Sequence, residues 1–268
     1  MSTAITATGQ AAPQAQTQAA SRSSALVKLS LTELKLLSRE RVRMALPIAI
    51  PLLLILILGN IGSLRVPRAV YGGESFIDLY TTIMVVFGLA LLALTNMPMI
   101  VADYRERGVL RRLQTTPIGP VRVLAAQLVA DLTVAVFMVI AILAVARIAF
   151  AVPLPRQPGA FIVTALLAAG ALLGAGLLVA AVAPTGRVAR GIGGVLFYAM
   201  MFFAGLWLPI PNMPAVLQHI SHGTPLGAAV PALTLAAEGS WPTALQLGTM
   251  AGWAVALGLA AARFFRWE

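Results

Sequence analysis

VRVLAAQLVADLTVAVFMVIAILAVA, residues 121–146, decides the fold. After Arg122 this run holds one charged side chain, Asp131. It is long enough to cross a bilayer as an α-helix, which takes about 20 apolar residues. A membrane barrel would show shorter segments of alternating polarity, and none is visible. The stretch predicts a buried or lipid-facing helix, and the rest of the chain must be read beside it.

Similar runs flank it on both sides. Hydrophobic residues make up 59% of the 268 residues and charged residues only 10%, against about 25% charged in a soluble domain. Six spans are expected, at 44–61, 76–101, 121–146, 160–183, 192–208 and 243–264. The fold class is therefore all-α: a polytopic membrane protein with six transmembrane helices. The net charge of +10 would suggest nucleic acid in a soluble protein. Beside so many spans it points instead to basic loops facing anionic lipid, and no nucleic-acid partner is expected. The chain has no cysteine, which excludes disulfide scaffolds, thiol chemistry and cysteine metal sites.

Orientation follows from lysine and arginine. With the N-terminus inside, fifteen of the nineteen basic residues lie on the inner side; only Arg65, Arg68, Arg147 and Arg156 lie outside. Both termini are then cytoplasmic. Residues 1–24, rich in Ala, Gln, Ser and Thr, read as a disordered cytoplasmic tail. Residues 25–43 are too charged to span. On a helix, Lys28, Lys35 and Arg39 share one side and Leu26, Val27, Leu34 and Leu37 another. This reads as an amphipathic interfacial helix, connecting to a six-span domain over 44–268. It serves either as a membrane anchor or also as a contact for a cytoplasmic partner.

The inner stretch RERGVLRRLQTTP, 105–117, is the most charged piece between two spans. On a helical wheel Val109, Leu110 and Leu113 fall within an arc of about 100°, with Arg107 and Arg111 opposite. Pro117 ends it, since the residue before a proline avoids the helical region. A turn needs fewer residues, so two readings stand: an inert interfacial helix, or a helix gripped by a partner.

Residues DYRERGVLRRLQTTPIGPVRVLAAQLVAD, 103–131, resemble the signature of type-2 ABC exporter permeases. Its E-x-G-x-L-x-x-L-x-x-x-P pattern is matched by Glu106, Gly108, Leu110, Leu113 and Pro117. The late segment GLWLPIPNMPAVLQHISHGTPLGAAVPAL, 205–233, is similar to the same family, and most of all to daunorubicin-resistance-type multidrug exporter permeases. The resemblance implies a permease dimer, of two identical or two related chains, working with two copies of a separate ATPase subunit. It implies that Glu106, Arg107, Gly108, Leu110, Arg111, Leu113 and Pro117 form a coupling helix seated on that ATPase. It also implies outer re-entrant helices capping the path, with Pro209, Pro211, Met213, Pro214, Thr224 and Pro225 at the gate. ATP and Mg would be held by the partner, and this chain would carry no cofactor and no catalytic residue. Consistent with that, no GxxxxGK[ST] phosphate loop occurs here, and the two lysines, Lys28 and Lys35, lack its context.

The residues add two points of their own. Six prolines break the apolar stretch 207–242, which suits short helices sheltered in the outer leaflet or an ordinary outer loop. Asp131 lies about 15 Å into its span, where a carboxylate is expensive. With Gln127 and Asn96 it forms either a polar tie between spans or a substrate- or proton-handling site. A proton-driven exporter using Asp131 is the alternative function, although internal repeats typical of such proteins are not evident. His219 and His222 lack a third ligand, so no metal site is expected. Gly170, Gly174 and Gly176 read as helix packing positions.

Overall fold

The computed structural model describes residues 41–68, 73–108 and 120–264. The expected tail 1–24, most of the interfacial helix 25–43, and Leu110, Arg111, Leu113 and Pro117 lie outside these residues. Among the described residues every regular element is helical. In order they are α1 (Arg41–Gly59), α2 (Phe76–Ala90), a π-helical segment (Leu91–Asn96), α3 (Met97–Glu106), α4 (Pro120–Phe150) and α5 (Pro158–Val182). Then come α6 (Gly186–Phe203), α7 (Ala215–Gly223), α8 (Pro225–Glu238) and α9 (Ala244–Phe264).

Among the described residues four helices are long and apolar enough to cross a membrane: Phe76–Glu106, Leu124–Phe150, Pro158–Val182 and Ala244–Phe264. Of the six expected spans, the first and fifth do not reach that standard. In α1 the apolar stretch with described side chains is Ala45–Gly59. The fifth starts earlier than expected, because the Thr185 hydroxyl accepts from the Val188 amide and caps a helix at Gly186. Arg187 and Arg190 thereby enter its first turns. It also ends earlier, at Phe203, where Gly205 takes φ 84°.

The second span is the centre of the molecule. In its most apolar stretch 89% of residues are buried, against 11% in α9, so the second span is enclosed by the other helices and α9 is largely exposed. A Ser75–Asp78 capping box starts it: the Asp78 amide donates to Ser75 Oγ, and the Ser75 amide donates to Asp78 Oδ2 at 3.1 Å. Its ladder then slips to π spacing over Leu91–Asn96 and resumes as α3.

Glycines set how closely the neighbours approach. A Cβ on Gly176 of α5 would overlap the Ala93 carbonyl oxygen, and one on Gly193 of α6 would overlap that of Leu94. Both carbonyls belong to the π segment. On the far side of α5, a Cβ on Gly174 would sit 3.3 Å from Leu257 Cβ and from the Gly258 amide of α9. The small-residue run of the fourth span therefore packs against two different helices. Gly170 is looser, with only Ala254 Cβ within 4 Å.

The proline-rich outer segment folds as a 3-10 turn (Ile210–Asn212) followed by α7 and α8. Pro214 precedes α7 and Pro225 opens α8, where a missing N–H is harmless. Much of α8 is buried, including Leu226, Ala229, Leu233 and Ala236, which an ordinary surface loop would not be.

Candidate functional site

The C-terminal end of the second span carries the chemistry that the sequence singled out. Helix α3 runs through Arg105 and Glu106, Arg107 is its C-cap, and Gly108 takes φ 65°. An independent helix beginning at 105 is therefore not what forms: the span continues into the stretch and a left-handed glycine ends it. Only glycine adopts that geometry without strain, which gives the glycine of the signature a backbone reason. Among the described residues nothing lies within 4 Å of its would-be Cβ.

Arg105 and Glu106 grip the turn between α5 and α6. Arg105 Nη1 donates to the Ala180 and Ala181 carbonyls at 3.3 and 3.4 Å, at the C-terminal end of α5. The Gly186 amide donates to Glu106 Oε1 at 2.8 Å, at the N-terminus of α6. The last carbonyls and first amides of helices lack partners of their own and carry partial charge of opposite sign. A cation on the former and an anion on the latter satisfy both. Asp103 Oδ1 lies where a Cβ on Gly186 would go, so a larger residue there would have to displace the Asp103 carboxylate. One turn further, Arg190 donates to Met99 Sδ, tying α6 to α3 again.

Glu106 is thus engaged on its own chain, while Arg107 beside it is exposed. Sequence reasoning placed Arg105 on the inner side without a role, and did not single out Asp103, Thr185 or Gly186. The partners of Arg105 and Glu106 are 75 to 80 residues away along the chain, so no local pattern reports them, whereas Thr185 acts locally, capping its own helix through the Val188 amide.

The three polar residues lie within the apolar helices. Gln127 Nε2 donates to Asp131 Oδ1 at 3.1 Å, and both side chains are fully buried on α4. Asn96, in the π segment, is buried too. Its Nδ2 and the Gln127 Oε1 have no hydrogen-bond partner among the described residues. The structure pairs Gln127 with Asp131 and does not bond Asn96 to either.

The outer candidates form a knitted unit. Thr224 caps α8 by accepting from the Gly227 amide at 3.0 Å and donates to the Ser221 carbonyl at 2.8 Å. Ser221 Oγ donates to the Phe203 carbonyl at 2.6 Å, fastening α7 to the end of α6. Met213 is buried, and its carbonyl accepts from Gln218. Pro209 precedes the 3-10 turn that contains Pro211. His219 Nδ1 bonds the Ala215 carbonyl within its own helix. Among the described residues no group of three His, Cys, Asp or Glu could hold a metal ion.

The model of the ABC-2 type transporter family matches residues 25–236. The chain belongs to the ABC-2 type transporter family. Comparison with curated proteins gives no significant match. As an ABC-2 membrane domain the chain is a permease component of an ABC transporter, a class that generally lacks an ATPase site of its own and typically works with an ABC ATPase subunit. For such a permease the grip of Arg105 and Glu106 has a mechanical meaning. It fastens the end of the second span to two neighbouring helices just before the chain enters 109–119.

Proposed function

We propose that this permease is the membrane half of an ATP-driven exporter of apolar or amphiphilic compounds, such as drugs or lipids. It sits in the plasma membrane with both termini in the cytoplasm. The six hydrophobic segments act as spans, α1 and α6 being completed by the residues beside them. Two permease chains pair, and two ATPase subunits bind beneath them and hold ATP and Mg. The stretch 105–117 takes the force of ATPase closure, with Arg107, Leu110, Arg111 and Leu113 toward the ATPase and Glu106 and Gly108 setting its departure. The unit from Pro209 to Pro225 acts as re-entrant outer gate.

The observation that carries this reading is the end of the second span. A helix enclosed by protein runs without interruption from Phe76 to Glu106, and its last residues are bonded to α5 and α6. Displacement of the inner stretch would therefore move three helices together. The exposed side of α6, with Val188, Ile192, Val195 and Tyr198, offers a second permease a lipid-free seat. A daunorubicin-type drug range is the finer form of the proposal and rests on the resemblance of 205–233.

The test is transport by the co-purified permease and ATPase in vesicles. Vanadate should stop it and a protonophore should not. Asp131→Asn should lower the rate by less than tenfold if Asp131 is a tie between Gln127 and its span. Transport that survives vanadate and collapses with the protonophore would favour the proton-driven alternative through Asp131.

A further inference from the structure

At the opposite end of the second span three carboxylates from separate places meet. Glu74 precedes α2, Asp78 lies in its first turn, and Glu238 ends α8. Together with Arg156, from the connection between α4 and α5, they line a cavity of about 90 Å³. One oxygen of Asp78 is occupied by Ser75, whose hydroxyl donates to it at 2.6 Å. Burial, then Glu238 and Asp78, push the Glu74 carboxyl above its usual range, and Arg156 opposes them. The threonines of this cavity differ. Thr81 donates its hydroxyl to the Ile77 carbonyl. Thr82 is 6% exposed, lines the cavity, and makes no hydrogen bond among the described residues.

A second cavity lies beside the first. It is a groove of about 520 Å³ between α4 and α5, walled by aliphatic side chains such as Leu132, Val139, Ile162 and Leu166. Leu143, Pro155 and Phe161 line both spaces. An acidic pocket thus adjoins, across three shared wall residues, an apolar slot of the size that holds one small ligand, about 300–1,000 Å³.

We propose that this outer cleft binds a single-chain cationic amphiphile, with its ammonium head among Glu74, Asp78 and Glu238 and its hydrocarbon tail along α4 and α5. Three carboxylates against one guanidinium select a cation over an anion. The apolar slot selects a molecule with a tail over a hydrated ion. The phosphate of a zwitterionic phospholipid would meet the same carboxylates that welcome its amine, so resident lipid is a poorer occupant. An unpaired threonine hydroxyl gives the head a further oxygen. The proposal rests on the exporter reading only for placing the cleft on the outer side; binding is a property of this chain alone.

Radiolabelled dodecyltrimethylammonium, measured against the full-length permease in phosphatidylcholine nanodiscs, tests it without ATP or ATPase. Saturable one-to-one binding is expected above an empty-disc blank. Glu74→Gln combined with Glu238→Gln should weaken it about tenfold, and Arg156→Ala, which removes the opposing cation, should tighten it several-fold, the tenfold change corresponding to about 1.4 kcal/mol. Ala165→Trp, filling the groove, should weaken it while leaving the acidic pocket intact. Dodecyl sulfate and tetramethylammonium should not compete. Unchanged affinity in both charge variants would overturn the proposal, as would equal competition by dodecyl sulfate. Displacement by phosphatidylethanolamine would assign the cleft to lipid and overturn it as well. Because ATP is absent, failure here leaves the exporter reading standing, and loss of vanadate-sensitive transport leaves the cleft standing.

Discussion

Gly193→Ala is expected to destabilise the permease severely, while Gly194→Ala, one residue on, leaves it as stable as before or slightly more so. The two glycines share one helix and one sequence context, so helix propensity predicts the same gain for both, up to about 1 kcal/mol. Their surroundings differ. A Cβ at Gly194 has nothing within 4 Å, whereas one at Gly193 would overlap the Leu94 carbonyl oxygen. Overpacking costs about 1–3 kcal/mol where side chains can give way. Here the obstacle is backbone, inside a segment buried on all sides, so the loss belongs at or above the top of that range. Gly176→Ala should behave like Gly193→Ala, because the Ala93 carbonyl blocks it in the same way. Thermal unfolding of the purified variants in detergent checks the set. Equal melting temperatures for the 193 and 194 variants would show that α6 does not press on the π segment.

The second expectation separates the inner grip from the inner stretch. Glu106→Ala removes the acceptor of the Gly186 amide, and Arg105→Ala uncovers two carbonyls at the end of α5. Each interaction joins a charge to a helix terminus, and because Glu106 is exposed and Arg105 half-buried, removing either should cost about 0.3–1 kcal/mol. Transport should fall along with stability. Reversing Arg107 and Arg111 together should do something different. Arg107 is exposed, and exposed substitutions usually change stability by less than about 0.5 kcal/mol. ATP-driven transport should nevertheless be abolished, with insertion and melting unchanged, and Leu110→Pro should abolish it too. If the charge reversal leaves transport intact, 105–117 is a packing element and not the coupling stretch.

What could be read in advance follows from which signals are local. The spans at 76–101, 121–146, 160–183 and 243–264 are visible because a long apolar run has few alternatives, and capping residues shift their ends by only a few positions. The fifth was displaced because Thr185 starts a helix ahead of two arginines, a cap that a search for apolar runs passes over. The π segment is invisible for another reason. LLALTN is surrounded by protein, and a helix buried all round shows no polar face whose period could reveal a slipped turn. Gly193 could not be distinguished from Gly194 without that slip. In the site, Gly108 carried a local signature, whereas Arg105 and Glu106 act on the turn between α5 and α6, far along the chain. The outer cleft collects Glu74 and Asp78 from the start of α2, Arg156 from the connection between α4 and α5, and Glu238 from the end of α8, three places far apart in the sequence.

The measurement closest to the centre of the account uses the absence of native cysteine. A single Leu110→Cys permease, expressed with its ATPase, can be probed with a membrane-impermeant maleimide and with a short bifunctional cross-linker. The account predicts modification only once the cytoplasmic face is opened, and a cross-link to the ATPase whose yield changes between ATP-bound and vanadate-trapped states. Labelling from the exterior of intact cells, or cross-links to lipid alone in every state, would contradict it.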